Sequence, residues 1–370
     1  MSGRRCWVEV DGRALARNLK VLRGLIPRTT RLLAVVKANA YGHGLVTTSQ
    51  ELEARGVDWL GVANVAEGLL LRQAGVRLPI LLLSATLPDE LADAVRNGLT
   101  VTLSSLGEAK ALDRVARRLG KKAEAHFKID TGMGRLGRWH GEAHDDLARI
   151  RLLPNVILSG LCTHFASADD DARLTRAQWK AITPFFEQNR DLLCHAANSP
   201  AVTRRYGFHA DMVRTGLALY GIAPNPADQR LGFRPALTWK SRICLLREVK
   251  AGRTVSYGAT YRVPARQTHA VVAIGYGDGY LRAQSEKGHM LVGGVRCPIR
   301  GRVTMDQIVI DVTRVPAARV GNEVVALGRQ GKGEITAREL AHHAGTIPWE
   351  ILTNIGSRVP RFYHHFTAAT

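Results

Sequence analysis

The chain opens with a short run, Trp7-Val8-Glu9-Val10, in which apolar and polar positions alternate as on a half-buried strand. Asp11 then offers an N-cap to a helix over 14–25, which Pro27 ends. From residue 32 a different rhythm takes over. Helix-compatible segments close on Gly56, Gly75, Gly98 and Gly120, and each is followed by a compact apolar run, at 59–62, 80–83, 99–103 and 123–129. A glycine just past a helix supplies the positive φ which that position favours. With further runs at 32–36, 156–158, 192–194 and 211–213, there are eight strand candidates, each but the last followed by a helix-compatible segment. One helix shows its expected buried face directly, in Ala66, Leu69, Leu70 and Ala74. Eight such units read more naturally as a closed barrel than as a doubly wound sheet, although both architectures share this connectivity.

The pattern changes after Pro224 and Pro226. Alternating, turn-bounded runs at 238–249, 254–261, 269–274, 289–295, 308–312 and 323–327 predict a mostly β domain, with short helices at 336–343 and 349–354. The expected fold class is therefore α/β: an N-terminal (β/α)8 TIM barrel over 11–234, followed by a predominantly β C-terminal domain over 235–370 that also takes in the strand at 6–10. No Walker or Rossmann glycine pattern follows any barrel strand.

Composition narrows the function classes. Lys and Arg outnumber Asp and Glu by 52 to 32, a net charge of +20. The basic residues are scattered in pairs such as Arg117-Arg118 and Lys121-Lys122, with no interleaved aromatics, so solvated surface is expected and nucleic acid is not; a small anionic ligand stays compatible. Five cysteines, Cys6, Cys162, Cys194, Cys244 and Cys297, are odd in number and lack metal-type spacing, which points to reduced thiols, a cytoplasmic setting and no metal centre. No signal-peptide pattern and no run near the roughly 18 apolar residues of a membrane span is present, so no membrane association is expected.

Chemistry-bearing residues in a βα barrel lie at the C-terminal strand ends. Those ends here carry Lys37 and Tyr41, then 130–135 with Arg135, then His164, then Asn198 and Ser199, and lastly Arg214 and Gly216. A lone lysine in a glycine-punctuated loop is ordinarily solvated. Placed where a buried strand ends, it loses charge to its apolar surroundings, and its neutral amine becomes available for Schiff-base chemistry.

The segments 34–44, 128–137, 214–221, 256–261, 275–279 and 305–307, in this order and spacing, resemble the alanine racemases, pyridoxal-phosphate enzymes of the barrel-plus-β-domain type, over essentially the whole chain. The resemblance implies pyridoxal 5'-phosphate as cofactor, interconversion of L- and D-alanine by two opposed bases, supply of D-alanine to peptidoglycan, and a homodimer with shared active sites. It makes Lys37 the cofactor anchor and one base, and Tyr257, supplied by the partner subunit, the other. A free phenol is scarcely ionised at pH 7, so such a base needs positive neighbours, and the match points to His164 backed by Arg214. Arg214 would also face the cofactor's ring nitrogen. Tyr41, Asn198, Ser199, Gly216 and Leu217 would hold the cofactor, chiefly its phosphate; Arg135 and the Met305 backbone the substrate carboxylate; and Tyr276 would narrow the entrance. Lys128 falls where some members carry a carbamylated lysine, with an ion pair to Asp130 as the alternative. Ser357 stands where well-known members place a tyrosine that touches the phosphate and fills space beside the substrate side chain; as a cofactor-binding residue a serine can keep a hydrogen bond but leaves a void, so some turnover of serine or larger amino acids is expected. A broader racemase acting on serine or lysine, a non-catalytic pyridoxal-phosphate carrier and a basic binding protein are the competing readings.

Overall fold

The structure, a computed structural model, describes residues 4–367, so the last three residues of the expected second domain, 368–370, lie outside the described part. Contacts divide the chain into two units. One contains Ala14–Ala40 and Gly44–Arg234; the other contains Pro235–Phe366, the N-terminal segment through Arg13, and Tyr41–His43.

In the first unit eight parallel strands follow one another in chain order: Arg31–Val35, Trp59–Val62, Ile80–Leu82, Val101–Leu103, Ala123–Asp130, Val156–Cys162, Leu193–Asn198 and Met212–Thr215. The last pairs with the first in register Met212 to Arg31, and a parallel bridge from Leu81 to Thr100 joins the third and fourth. The ring thus closes, which resolves the ambiguity between barrel and open sheet. Two strands run four residues past the apolar runs that announced them, because the extensions carry Gly160 and His195, which no apolar criterion selects.

The helix Val65–Gln73 turns a different face inward from the one expected. Val65, Gly68 and Leu71 are buried, whereas Leu70 is 50% exposed. The reason is Gly68, where a Cβ would stand 2.7 Å from Leu99; leaving it out lets the helix lie flat on that side.

The barrel interior holds a polar column. Arg214 is buried, and its Nη1 donates to His195 Nδ1 at 2.5 Å; His195 Nε2 in turn lies 2.8 Å from His126 Nδ1. A guanidinium only donates, so His195 Nδ1 accepts, its Nε2–H donates onward, and the remaining proton of His126 sits on Nε2. That atom is buried and has no partner among the described residues. The His126 ring packs 5.3 Å from Trp59 and over Gly160, where a Cβ would fall 2.6 Å from the imidazole.

The second unit is built on a nine-stranded sheet with the path Val295–Pro298, His289–Val292, Glu323–Gln330, Leu237–Val249, Cys6–Asp11, Arg361–His364. Gln267–Val272 and Ile308–Asp311 extend it from Leu237–Val249, and Gly333–Ile335 pairs with Glu323–Gln330 as the ninth strand. The N-terminal strand pairs antiparallel with Leu237–Val249, Trp7 opposite Lys240. The run at 254–261 is not one strand: Thr254–Val255 and Tyr261–Arg262 pair with each other across a tight turn. Among the described residues no helix is long and apolar enough to cross a membrane, and the five cysteines are free thiols.

Burial holds His126 down to a pKa of about 3, with the Arg214 charge adding to the effect. Between the ordinary histidine value near ~6.5 and that figure, the unfolded chain binds a proton that the folded chain refuses. Stability therefore falls as pH falls through this window, by about 1.4 kcal/mol per pH unit for such a histidine. Urea unfolding from pH 7 downward should show this slope, and His126→Gln, which keeps an acceptor for His195, should make it shallower by about one proton. Equal slopes would disprove the assignment.

Candidate active site

Lys37 follows the first barrel strand directly, and Tyr220 buttresses that strand end by donating from its hydroxyl to Val35 O at 3.0 Å. The next residues do something unusual: Ala38, Asn39, Ala40 and Tyr41 all have φ between 52° and 56°. This is a turn of left-handed helix without glycine, at roughly 1–2 kcal/mol per residue. Its supports are specific. Glu67 accepts from the Ala38 amide at 2.7 Å and from Ala63 at 2.8 Å, and the Asn39 side chain accepts from Leu45 at 2.8 Å. The turn directly after the lysine is thereby braced on both sides. Burial lowers its pKa, the nearby Arg135 lowers it further, and Glu67 opposes both.

Arg214 is the electrostatic centre of the barrel unit. Besides His195 it donates to Thr163 O at 2.7 Å, Ala196 O at 3.0 Å and His164 Nδ1 at 3.2 Å. No carboxylate pairs with it among the described residues. His164 was expected to act as a positive neighbour for a phenol. Instead, burial and then the charges of Arg214, Lys128, Arg135 and Lys37 hold its imidazole well below the ordinary value, so it is neutral at pH 7. With Nδ1 accepting from Arg214, its proton sits on Nε2. The charge available there belongs to Arg214.

Asn198 and Ser199 begin the short helix Ser199–Thr203. The Asn198 side chain caps it by accepting from Ala201 at 3.2 Å, a structural task besides the expected one. Ser199 Oγ accepts from the Gly216 amide at 2.9 Å, which brings together three of the groups expected at a phosphate: Ser199, Gly216 and the neighbouring Leu217. The Ser199 hydroxyl, held by the Gly216 amide, and the Leu217 amide, which makes no hydrogen bond among the described residues, form a cradle suited to an anion.

Arg135 lies on a loop organised by Asp130, whose carboxylate accepts from Gly132, Met133 and Gly134 at 2.8–2.9 Å. Asp130 is therefore occupied, and the expected ion pair with Lys128 is not formed. Lys128 is buried. Burial lowers its pKa, Arg214 and Arg135 add to this, and Cys162 and Asp130 oppose it. Its neutral, nucleophilic form is thereby favoured relative to a solvated lysine.

The second unit carries Tyr41, Tyr257, Tyr276, Met305 and Ser357. Tyr41 is buried, and its phenol is pushed up to about 12, so it is a neutral donor. Gly42 beside it is clamped, with room for no Cβ 2.2 Å from Leu352 O and its carbonyl held by Arg361. Tyr257 is 72% exposed and sits after Ser256, whose φ of 63° and ψ of −175° are rare for a side-chain-bearing residue. The Ser256 hydroxyl donates to Arg302 O, which joins this turn to the segment leading to Met305. Tyr276 and Met305 occupy loops bound to each other through Gly277 N–H to Met305 O at 2.9 Å, and Ser357 is exposed on a third loop. His126, His195, Glu67 and Arg358 were not anticipated; the only signal for them was charge or imidazole inside otherwise apolar strands and next to recognised motifs.

Residues 10–224 match the family described as alanine racemase, N-terminal domain, and residues 236–363 match alanine racemase, C-terminal domain. The chain is 46% identical over 362 residues to the alanine racemase of Methylacidiphilum infernorum, covering 98% of this chain and 93% of the relative. It is 42% identical over 369 residues to that of Symbiobacterium thermophilum, covering 98% of each. Among solved structures, the alanine racemase of Clostridium difficile 630 superposes with a TM-score of 0.92 at 35% identity, covering 98% of this chain and 97% of that one. The Bacillus anthracis enzyme with bound L-Ala-P superposes with a TM-score of 0.91 at 34% identity, covering 99% and 96%. A closed βα barrel with a lysine at its first strand end, a β-rich second unit and agreement along the whole length place this chain in the alanine racemase family.

Proposed function

We propose that this protein interconverts L- and D-alanine with pyridoxal 5'-phosphate, using Lys37 on one face of the α-carbon and the partner subunit's Tyr257 on the other. The observation that carries this reading is a half-buried lysine with a depressed pKa in the same unit as a buried guanidinium that no carboxylate neutralises. The donor set suits the cofactor: an amine of lowered pKa for its aldehyde, Arg214 for its ring nitrogen, and Ser199 with the Gly216 and Leu217 amides for its phosphate, joined by the neutral phenol of Tyr41. Bound there, the cofactor supplies an electron sink that acidifies the substrate's α-hydrogen.

The protein's own groups divide the remaining work. Arg214 can donate a hydrogen bond but yields no proton, so an acceptor facing it stays unprotonated. Arg135 and the Met305 amide hold the substrate carboxylate by charge-assisted bonds. His164 is neutral and offers Nε2–H to a phenolate oxygen, while the charge of Arg214 behind it favours that anion. Tyr276 limits the size of side chain admitted. Tyr257, Tyr276 and Met305 are large, exposed by 72%, 43% and 53%, and held on well-braced loops, which suits residues covered by a second copy of the chain in a homodimer. D-alanine made in this way would serve peptidoglycan synthesis. The cytoplasm suits five free thiols.

A broader substrate range is favoured by one observation: Ser357 is small and exposed where a tyrosine would fill space.

Purified, cofactor-loaded protein given either enantiomer of alanine should bring it to an equal mixture, followed by chiral chromatography. Tyr257→Phe should slow this by roughly 10²–10⁴-fold, the range for loss of a general base, and Lys37→Ala should abolish it. No inversion of alanine, serine or lysine would refute the racemase reading. The buried amine of Lys128, with its lowered pKa, should take up carbon dioxide. A carbamate resonance should appear in carbon-13 spectra with labelled bicarbonate and vanish in Lys128→Ala; its absence in the parent protein would exclude the modification. Ser357→Tyr should lower serine turnover relative to alanine, and an unchanged ratio would show that Ser357 does not set the range.

A further inference from the structure

Three residues assigned to substrate handling in the second unit, Tyr276, Met305 and Ser357, lie on loops 29 and 52 residues apart in the chain. The loops touch through backbone with no space between them. A Cβ on Gly275 would fall 2.3 Å from Thr304 O and Met305 O, one on Gly277 2.7 Å from Arg358, and one on Gly279 1.9 Å from Asn354 O. Tyr276 N–H donates to Thr304 O at 3.0 Å, Gly277 N–H to Met305 O at 2.9 Å, and Gly356 N–H to Asp278 O at 2.9 Å.

The first of these bonds has a directional consequence. In a trans peptide the C=O and N–H point opposite ways. Tying Thr304 O to Tyr276 therefore turns the Met305 N–H, which belongs to the same peptide, away from Tyr276's loop. That amide makes no hydrogen bond among the described residues. Any tilt of one loop against the other rotates it.

One side chain spans all three loops. Arg358, next to Ser357, donates from Nε to Asp278 Oδ1 at 2.8 Å and from Nη2 to Asp306 Oδ1 at 2.7 Å. Asp278 is itself buried, and its other oxygen accepts from Gly275 N–H at 2.9 Å. Asp278 adjoins the Tyr276 turn, and Asp306 is the residue after Met305. Exposed ion pairs contribute little to stability on their own, and Arg358 is 48% exposed. A planar fork held between two carboxylates from separate loops does something else: it fixes their mutual angle.

We propose that Arg358, through Asp278 and Asp306, is a positioning residue that sets the direction of the Met305 amide and the reach of Tyr276, and so governs substrate affinity and selectivity. This rests on the roles given above to Met305 and Tyr276. A lysine at this position has one compact ammonium and cannot bridge both carboxylates in the same geometry.

The test has two arms. In the first, Arg358→Ala in the cofactor-loaded enzyme should raise KM for alanine roughly tenfold, the scale of one misdirected hydrogen bond, with kcat changed less. It should also raise serine turnover relative to alanine, and Arg358→Lys should recover part of the loss. The second arm needs no activity. In the same protein, amide hydrogen exchange at 275–279 and 304–307 should accelerate in Arg358→Ala and in Asp306→Asn, with exchange in the barrel strands and the thermal midpoint unchanged. Unaltered exchange in these loops overturns the proposal, as does acceleration throughout the chain, which would mark a merely structural role. A fall in kcat at constant KM also overturns it. If the parent protein inverts no amino acid while the loop exchange behaves as described, the catalytic reading fails and the loop coupling stands.

Discussion

A guanidinium buried without a carboxylate is the constraint around which the barrel unit is arranged. Arg214 can only donate, so its surroundings must consist of acceptors: two imidazole nitrogens and two backbone carbonyls. That requirement sets the tautomers of His164 and His195, and through His195 that of His126. It also reaches into the backbone, since His126 needs Gly160 beneath its ring. Burial first, and then the charge of Arg214, which no carboxylate pairs with among the described residues, hold the pKa values of three histidines and of Lys128 down. A buried positive charge of this kind suits an anionic ligand and lowers the pKa of a neighbouring amine.

The second constraint is conformational. Uncommon backbone occurs at the two proposed bases: the left-handed turn that follows Lys37 and the residue that precedes Tyr257. Such conformations persist only where neighbours over-determine them. Glu67 and Asn39 do this for the first, and the contact of Ser256 with Arg302 for the second. Charge and strain thus act on the same side chains. Burial lowers the pKa of Lys37, and the turn that follows it is braced by Glu67 and Asn39.

Much of this was legible in the residues. The glycines after helices and the apolar runs located all eight barrel strands, since local φ preference and burial on both faces leave marks on sequence. Lys37, His164, Ser199 and Arg214 stand at or just after barrel strand ends, where the topology expected from sequence puts them. The misreadings share a cause. Leu70 belongs to an apolar triplet, and only Leu99 pressing on Gly68 decides that it faces out. His126 and His195 look like interruptions of strands until Arg214 is seen between them. His164 was assigned a charge that only its neighbours could withhold.

The sequence by itself determined the order of elements, the closure-compatible count of strands, the change to a β-rich second unit and the family's set of chemical groups. These follow from short-range rules: side-chain periodicity, glycine's access to positive φ, and residue types with intrinsic chemistry. Tertiary structure alone decided which of those groups are charged, which way their protons point and what holds them. Asp130 spends its carboxylate on three loop amides and leaves Lys128 unpaired, while Arg358 reaches across 80 residues to Asp278. Desolvation and hydrogen-bond direction depend on all neighbours at once, and those neighbours are distant in the chain.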